Sequence, residues 1–411
     1  MYEQGGVEMK VVAMGAAGEM GRTAARQLAM NEAITDLVLA DRNVAGAERL
    51  ASGIAGGARG SVRAIGCDVL DDAEVRRVLD RADLVVNCAG PFFRMGLPML
   101  RAAIDTTTTY LDICDDPEPT IEMFGLDQRA REAGVTAVIG MGASPGLSNL
   151  LAARAARHLD QVHDCFTAWS LDESTGGDDD SEGTHADGAP SSAVVHFMEQ
   201  IHGVVAVVED GTLVRRPPLE AVELDYPGLG SGTGYVVGHP EPVTLHRTLQ
   251  VSGRSCNLVL VRDGATAAFL RGIQKDLDDG NLNLEAGASA LLRPSPLRVA
   301  KAAIGGGRLR GSGSMPPLFA WVSGTIDGRA ATVGCHVTAM PRGMAGSTSV
   351  PAALAVGQLL ETRPAPGVHA PESVIDADRL LTDLIPFCST PVADLETLAP
   401  VHIAFVGESP A

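Results

Sequence analysis

The sequence predicts an α/β protein: a doubly wound parallel sheet in the first third of the chain, then a second α+β domain built on a mainly antiparallel sheet. Three observations predict it. Apolar runs of strand length alternate with helix-patterned stretches over residues 11–140, and such alternation gives a parallel sheet with helices on both faces. The first strand and helix meet at a glycine-rich turn, Gly15-Ala16-Ala17-Gly18-Glu19-Met20-Gly21. Beyond Gly146 alternating apolar segments flank two Asp-Gly pairs, at 210–211 and 327–328, a strong hairpin signal.

Residues 11–14 are apolar and form the first strand; 22–30 carry the first helix. A strand that reverses into a helix with its backbone N–H groups facing a pyrophosphate must keep side chains out of the corner. Glycine at 15, 18 and 21 does so, which makes Gly15, Ala17, Gly18, Glu19, Met20 and Gly21 the expected cradle of a dinucleotide in a Rossmann-type domain. The second strand, 36–40, ends at Asp41, where a carboxylate can accept hydrogen bonds from an adenosine ribose. That acid repels a 2′-phosphate and favours NAD, while Arg42 beside it can pair with one and leaves NADP open. Residues 62–67, followed by Asp68, form the third strand. The fourth, 83–88, ends in Ala89-Gly90-Pro91, at the nicotinamide end, because ligands sit outside the carboxyl ends of such strands. A helix (97–104), a strand (109–113), a helix (126–133) and a strand (135–140) continue the pattern. Ser144-Pro145-Gly146 then makes a strand-to-helix junction, where the N–H groups of Ser144 and its neighbours can reach a carboxamide or an anion.

In the second half the expected elements are a helix at 147–158, a strand at 165–170, a helix at 192–202 and hairpins 204–208/212–216 and 318–326/330–338. The organisation read from these is a dinucleotide-binding domain (1–146), a substrate and dimerisation domain (147–346) and a C-terminal segment (347–411) packing back on the first. Residues 172–188, with Asp178, Asp179, Asp180 and His185, are too polar to pack. Residues 305–314, with Arg308 and Arg310, read as a second flexible stretch.

At 411 residues the chain exceeds what one core supports, and 45% hydrophobic residues supply two. Its longest apolar runs, such as 135–141, fall short of the ~20 residues that span a bilayer, and no basic segment followed by an apolar stretch opens the sequence, so a cytoplasmic protein is expected. A net charge of −19 argues against nucleic acid or anionic membrane as partner. Seven scattered cysteines without a CxxC pair argue against a disulfide framework or a zinc site, and no metal is expected.

The Gly15-to-Gly21 turn, Ala40-Asp41-Arg42, Asp83-Leu84-Val85-Val86-Asn87, Tyr110-Leu111-Asp112, Ala133-Gly134-Val135 and Ser144-Pro145-Gly146-Leu147-Ser148-Asn149 together resemble the saccharopine dehydrogenase and lysine 6-dehydrogenase superfamily. Ser347-Thr348-Ser349-Val350-Pro351-Ala352-Ala353, before the last long helix, is similar to its threonine-glycine-proline segment, with Ser349 where glycine is usual. The resemblance covers residues 9–158 and about 335–362; the middle third matches poorly. It implies a Rossmann domain, a sheet-forming second domain that often makes a homodimer, and hydride transfer at a carbon–nitrogen bond of an amino acid or imine.

Such a reaction needs positioning, a group that handles a proton and groups for the substrate's charges. Tyr110 and Asp112, with Asp115 and Asp116, cluster at one strand mouth, where Asp112 can hold a substrate ammonium or shuttle its proton, or simply cap the next turn. His239 and Glu241 lie in a loop that Pro240 and Pro242 rigidify, and an imidazole suits acid–base work near neutrality. His196 shares a helix face with Gln200. Arg94 can grip a small-molecule substrate's carboxylate or face solvent. Cys114, near the cofactor, reads more readily as a small buried group than as a nucleophile. A carbonyl/alcohol oxidoreductase on the same fold, and a cofactor-binding protein without turnover, remain the alternatives.

Overall fold

The computed structural model describes residues 9–171 and 190–407. Two compact units divide the chain: Met1–Leu147 with Ala345–Phe387, and Ser148–Met344 with Cys388–Ala411. The polar stretch expected at 172–188 lies outside the described residues.

In the first unit seven strands, β1 (Lys10–Met14), β2 (Asp36–Asp41), β3 (Ser61–Gly66), β4 (Leu84–Asn87), β5 (Thr109–Asp112), β6 (Thr136–Val138) and β15 (Gly367–His369), form one sheet in the order β15-β6-β5-β4-β1-β2-β3. Every neighbouring pair is parallel. Strands covered by helices on both faces must be apolar throughout, and Val11, Val12, Leu37, Val38, Leu39, Leu84, Val85, Val86 and Leu111 are all buried. The strand order reverses between β1 and β4, so the carboxyl ends of these two strands open the crevice in which doubly wound sheets bind ligands. Register places Met14 beside Ala40 on one side and Asn87 on the other.

Two helices differ from expectation. The helix after β4 starts at Phe92, not at 97, and runs to Asp105 with Pro98 inside it, because Pro91 in extended conformation serves as its N-cap. The Ser347–Ala353 segment lies within the helix Gly343–Thr362 instead of before it, despite Pro351. There Ser349 Oγ donates to the Met20 carbonyl at 2.9 Å, tying this helix to the glycine-rich turn.

The second unit holds β7 (Gln161–Ser170), β8 (Val205–Glu209), β9 (Thr212–Arg216), β10 (Ala221–Tyr226), β11 (Gly230–Val237), β12 (Ser255–Leu260), β13 (Leu318–Ile326), β14 (Arg329–His336) and β16 (Val401–Phe405) in one sheet. Only β7 and β12 pair in parallel among these strands. Both hairpins turn on two residues of positive φ, Asp210 and Gly211 (48° and 65°) and Asp327 and Gly328 (49° and 72°), the conformation that matches strand twist. Along β12, Val259 packs into one core with Phe197, Leu270 and Ile273, while Leu258 and Leu260 enter another with Phe166 and Phe319. That alternation is the period of a strand covered on both faces.

The chain's return to the first unit ends at Phe387. Residues from Cys388 onward, expected with the first domain, belong to the second because β16 pairs antiparallel with β14. The stretch 305–314 is not the loose loop expected. Gly306–Arg308 is a turn of 3-10 helix, Tyr235 Oη donates to the Arg310 carbonyl at 2.7 Å, and Thr233 and Ser312 amides bond to Gly311 and Val261 carbonyls.

Candidate functional site

The glycine-rich turn follows β1 at the point where the strand order reverses. Gly15 has φ +76°, which only glycine adopts without strain, and its amide donates to the Ala40 carbonyl at 2.9 Å. A Cβ at Gly15 would lie 2.9 Å from the Ala89 nitrogen, and one at Gly21 would lie 2.0 Å from the Gly15 carbonyl oxygen. Both glycines therefore permit backbone to meet backbone. Gly18 is the N-cap of the helix Glu19–Leu28 and provides no side-chain cap. The first N–H groups of a helix have no intrahelical acceptor and carry the positive end of its dipole, which leaves those of Glu19 and Met20 suited to a phosphate oxygen.

Asp41 closes one side of this turn. Its Oδ2 accepts from the Ala17 amide at 2.8 Å and its Oδ1 from the Asn43 amide at 2.7 Å, so the carboxylate is fixed while lone pairs remain for ribose hydroxyls. Arg42 is exposed beside it. Asp68, at the end of β3, is exposed and accepts from the Leu70 amide at 3.0 Å. On the other side the Ala89 amide donates to Asn87 Oδ1 at 3.0 Å, which shapes the Ala89-Gly90-Pro91 corner. The residues of the turn fit a dinucleotide: a bare corner, uncapped helical amides and a fixed acid stand where the pyrophosphate and ribose would bind.

Beneath the mouths of β4 and β5 lies a buried chain of hydrogen bonds. Asn87 Nδ2 donates to Tyr110 Oη at 3.1 Å, and Tyr110 Oη donates to Asp112 Oδ2 at 2.8 Å. Asp112 Oδ1 accepts from the Gly140 amide at 2.7 Å and the Cys114 amide at 3.1 Å. Burial pushes the Asp112 carboxyl up to about 6, against the pull of the Gly140, Cys114 and Tyr110 hydrogen bonds. Burial likewise raises the Tyr110 hydroxyl and the Cys114 thiol well above their ordinary values, which leaves Cys114 an inert thiol. Of the two readings open for Asp112, turn-capping is thus the one realised in its contacts.

Other candidates are placed as follows. Arg94 is exposed on the first turn of the helix Phe92–Asp105. Ser144 sits in a junction where the Gly142 amide donates to the Pro145 carbonyl at 2.9 Å and Gly146 has φ +117°. In the second unit His196 Nδ1 lies 3.1 Å from Glu199 Oε2. Glu241 is not in a loop. It opens the helix Glu241–Leu249, with Pro240 as N-cap and Pro242 in its first turn, because proline fits the start of a helix. His239 and Glu241 are buried, with His239 Nδ1 3.4 Å from Glu241 Oε2. Ser148 and Asn257 both bond to Glu241; the sequence marked Ser148 only as part of the Ser144–Asn149 stretch, and Asn257 not at all. A polar Asn257 inside the apolar run 256–261 was the available signal.

Residues 11–138 match the family described as saccharopine dehydrogenase NADP binding domain. The chain is 25% identical over 256 residues to carboxyaminopropylagmatine dehydrogenase from Synechocystis, covering 60% of this chain and 61% of that protein. It is 24% identical over 253 residues to carboxynorspermidine synthase from Vibrio alginolyticus, covering 57% and 58%. These matches thus span about three fifths of each relative's length. Among solved structures, apo saccharopine dehydrogenase (L-Glu forming) from Saccharomyces cerevisiae aligns with a TM-score of 0.57 at 16% identity, over 96% of this chain and all of that one, which shows a shared fold.

Proposed function

From the match of residues 11–138 to the saccharopine dehydrogenase NADP binding domain, we propose that this chain is an NAD(P)-dependent oxidoreductase acting at a carbon–nitrogen bond of an amino acid or imine. The observation that carries the proposal is the glycine-bared turn at the reversal point of the seven-stranded all-parallel sheet, ordered β3-β2-β1-β4-β5-β6-β15, with the fixed Asp41 beside it. The names of the relatives, each built on a carboxylated amine, support the carbon–nitrogen reading. The family description names NADP, the nucleotide that Arg42 accommodates.

NAD(P), when bound, supplies the hydride acceptor or donor. The backbone of Gly15, Ala17, Gly18, Glu19, Met20 and Gly21 would hold its pyrophosphate, Asp41 and Arg42 its adenosine ribose, with Asp68 near the adenine and Ala89, Gly90, Pro91 and Ser144 toward the nicotinamide. A substrate ammonium must lose its proton before the adjacent C–H bond can give up hydride, because the nitrogen lone pair stabilises the iminium that forms. Asp112 and Tyr110 lie beneath the mouths of β4 and β5, with the Asp112 oxygens engaged by Gly140, Cys114 and Tyr110. A cytoplasmic homodimer belongs to the same reading.

A substrate screen tests it. Carboxylated secondary amines and amino acids with NADP⁺ or NAD⁺, and the matching carbonyl-plus-amine pairs with NADPH or NADH, should give amine-dependent turnover. Turnover confined to alcohols and carbonyls without an amine would replace the proposal with carbonyl reduction.

A further inference from the structure

The second unit carries a basic and apolar surface on a strongly acidic chain. Residues 286–326 hold five basic side chains, Arg293, Arg298, Lys301, Arg308 and Arg310, and no acidic one, although the whole chain has 51 acidic against 32 basic residues. The middle of this stretch is the helix Pro296–Gly305, which Ser295 caps and Pro296 starts. One of its faces is packed. Ala302 is buried, and Arg298 pairs at 2.6 Å with Asp276 of the helix Gly264–Asp278. Just beyond its end, a Cβ at Gly306 would stand 2.7 Å from the Ala265 backbone nitrogen.

The opposite face is bare. Leu297 is 66% exposed and Ile304 85%, with Ala300 and Lys301 exposed between them. Positions i, i+3, i+4 and i+7 form one stripe, so a lysine lies between two projecting aliphatic side chains. Val299, half exposed, stands on the flank. Lys301 and Arg308 are exposed and make no ion pair among the described residues. Arg310 lies 3.9 Å from Glu223, with both side chains largely in solvent.

Single exposed aliphatic residues are ordinary, but aliphatic side chains set among cations on one helix face are the pattern of a helix that lies in the headgroup region of a bilayer. Salt screens charges beyond about 8 Å. The net charge of −19, which argues against an anionic membrane for the molecule as a whole, therefore acts less on a docked surface than the cations of this face. A second copy is the poorer occupant, because a two-fold contact through this face sets Lys301 and Arg308 against the same cations. An acidic protein surface would match the cations and leave the aliphatic side chains against charge. Anionic lipid offers both matches, phosphate at headgroup depth and hydrocarbon below it.

We propose that the helix Pro296–Gly305 with Arg308 is a peripheral docking site for an anionic phospholipid surface, Leu297 and Ile304 entering the acyl boundary and Lys301 and Arg308 meeting headgroup phosphates. The proposal is independent of the oxidoreductase reading.

Flotation of the full-length chain with vesicles of phosphatidylcholine, alone or with about 30% phosphatidylserine, tests it. Binding to the anionic vesicles should exceed binding to the neutral ones by about tenfold or more and fall steeply in about 1 M salt. Lys301→Gln with Arg308→Gln should weaken it about 25-fold, or about fivefold per cation. Leu297→Ser with Ile304→Ser, which leaves the packed face intact, should weaken it on the order of tenfold. Arg59→Gln with Arg81→Gln, at exposed cations of the first unit, should leave it unchanged. Equal binding to both vesicles, or to neither, overturns the proposal. So does a loss in the Arg59 and Arg81 variant as large as that in the Lys301 and Arg308 variant, since attraction would then be diffuse. Sedimentation without lipid decides against the other occupant: a dimer that Ile304→Ser dissociates would assign this face to a second copy, and a sedimentation coefficient unchanged by that substitution supports lipid.

Discussion

Asp112→Asn is expected to gain stability relative to the unsubstituted protein as pH rises. The Asp112 carboxyl is fully buried at the end of β5, and burial lifts its pKa from 3.8 to about 6. A raised acid pKa means that the folded chain holds its proton over a pH range in which the unfolded chain has lost it. The stability this confers is complete below about pH 4 and is lost as pH rises through about 6. Over the whole range the loss is about 3 kcal/mol, and between about pH 5 and about pH 7.5 it is about 1.4 kcal/mol. Asparagine does not titrate. Its Oδ1 can still accept from the Gly140 and Cys114 amides, and its Nδ2 can donate to Tyr110 Oη. Urea unfolding followed by far-ultraviolet circular dichroism should therefore show the stability difference, variant minus unsubstituted, moving in favour of the variant by about 1.4 kcal/mol between those two pH values. A difference that stays flat, or that moves against the variant, would refute the assignment of Asp112 as a buried group ionised against its environment.

Gly21→Ala places a Cβ 2.0 Å from the Gly15 carbonyl oxygen, a backbone clash that side-chain rotation cannot relieve. It should cost about 3 kcal/mol in stability, and NADPH affinity should fall on the order of 100-fold by fluorescence titration as the turn is displaced. Arg42→Ala should weaken NADPH about tenfold, the loss of one charge-assisted contact to a 2′-phosphate, with NADH affinity unchanged; equal losses for both nucleotides would remove Arg42 from the phosphate site. Gly328→Ala meets no atom within 4 Å but must adopt φ +72°, so it should cost about 1 kcal/mol from backbone strain alone and leave nucleotide binding untouched.

The first unit was largely legible in the sequence because local rules govern it. A buried parallel strand must be continuously apolar, and a bare corner must be glycine, so 11–14 and Gly15, Gly18 and Gly21 announced themselves. The two hairpins were legible for a similar reason, since Asp210-Gly211 and Asp327-Gly328 supply positive φ in adjacent positions. Parts set by distant partners were not. Cys388 onward joins the second unit through pairing of β16 with β14, 65 or more residues away in sequence, which no local pattern in 401–405 reveals. Asp112 was open to a substrate role or to capping the next turn, and its partners Gly140 and Tyr110 are identified only by fold. Glu241 was expected in a loop because prolines on both sides suggest one, whereas at a helix start the same prolines are favourable. Ser148 and Asn257 carry ordinary local signals, and their convergence on Glu241 exists only in three dimensions.

The central claim is that the corner around Gly15, Gly18 and Gly21 holds a pyridine dinucleotide. Calorimetric titration of the full chain with NADPH and with NADH tests it most directly: saturable heat at one site per chain with at least one of them, at sub-millimolar concentration, is the predicted result. No heat with either nucleotide would contradict it.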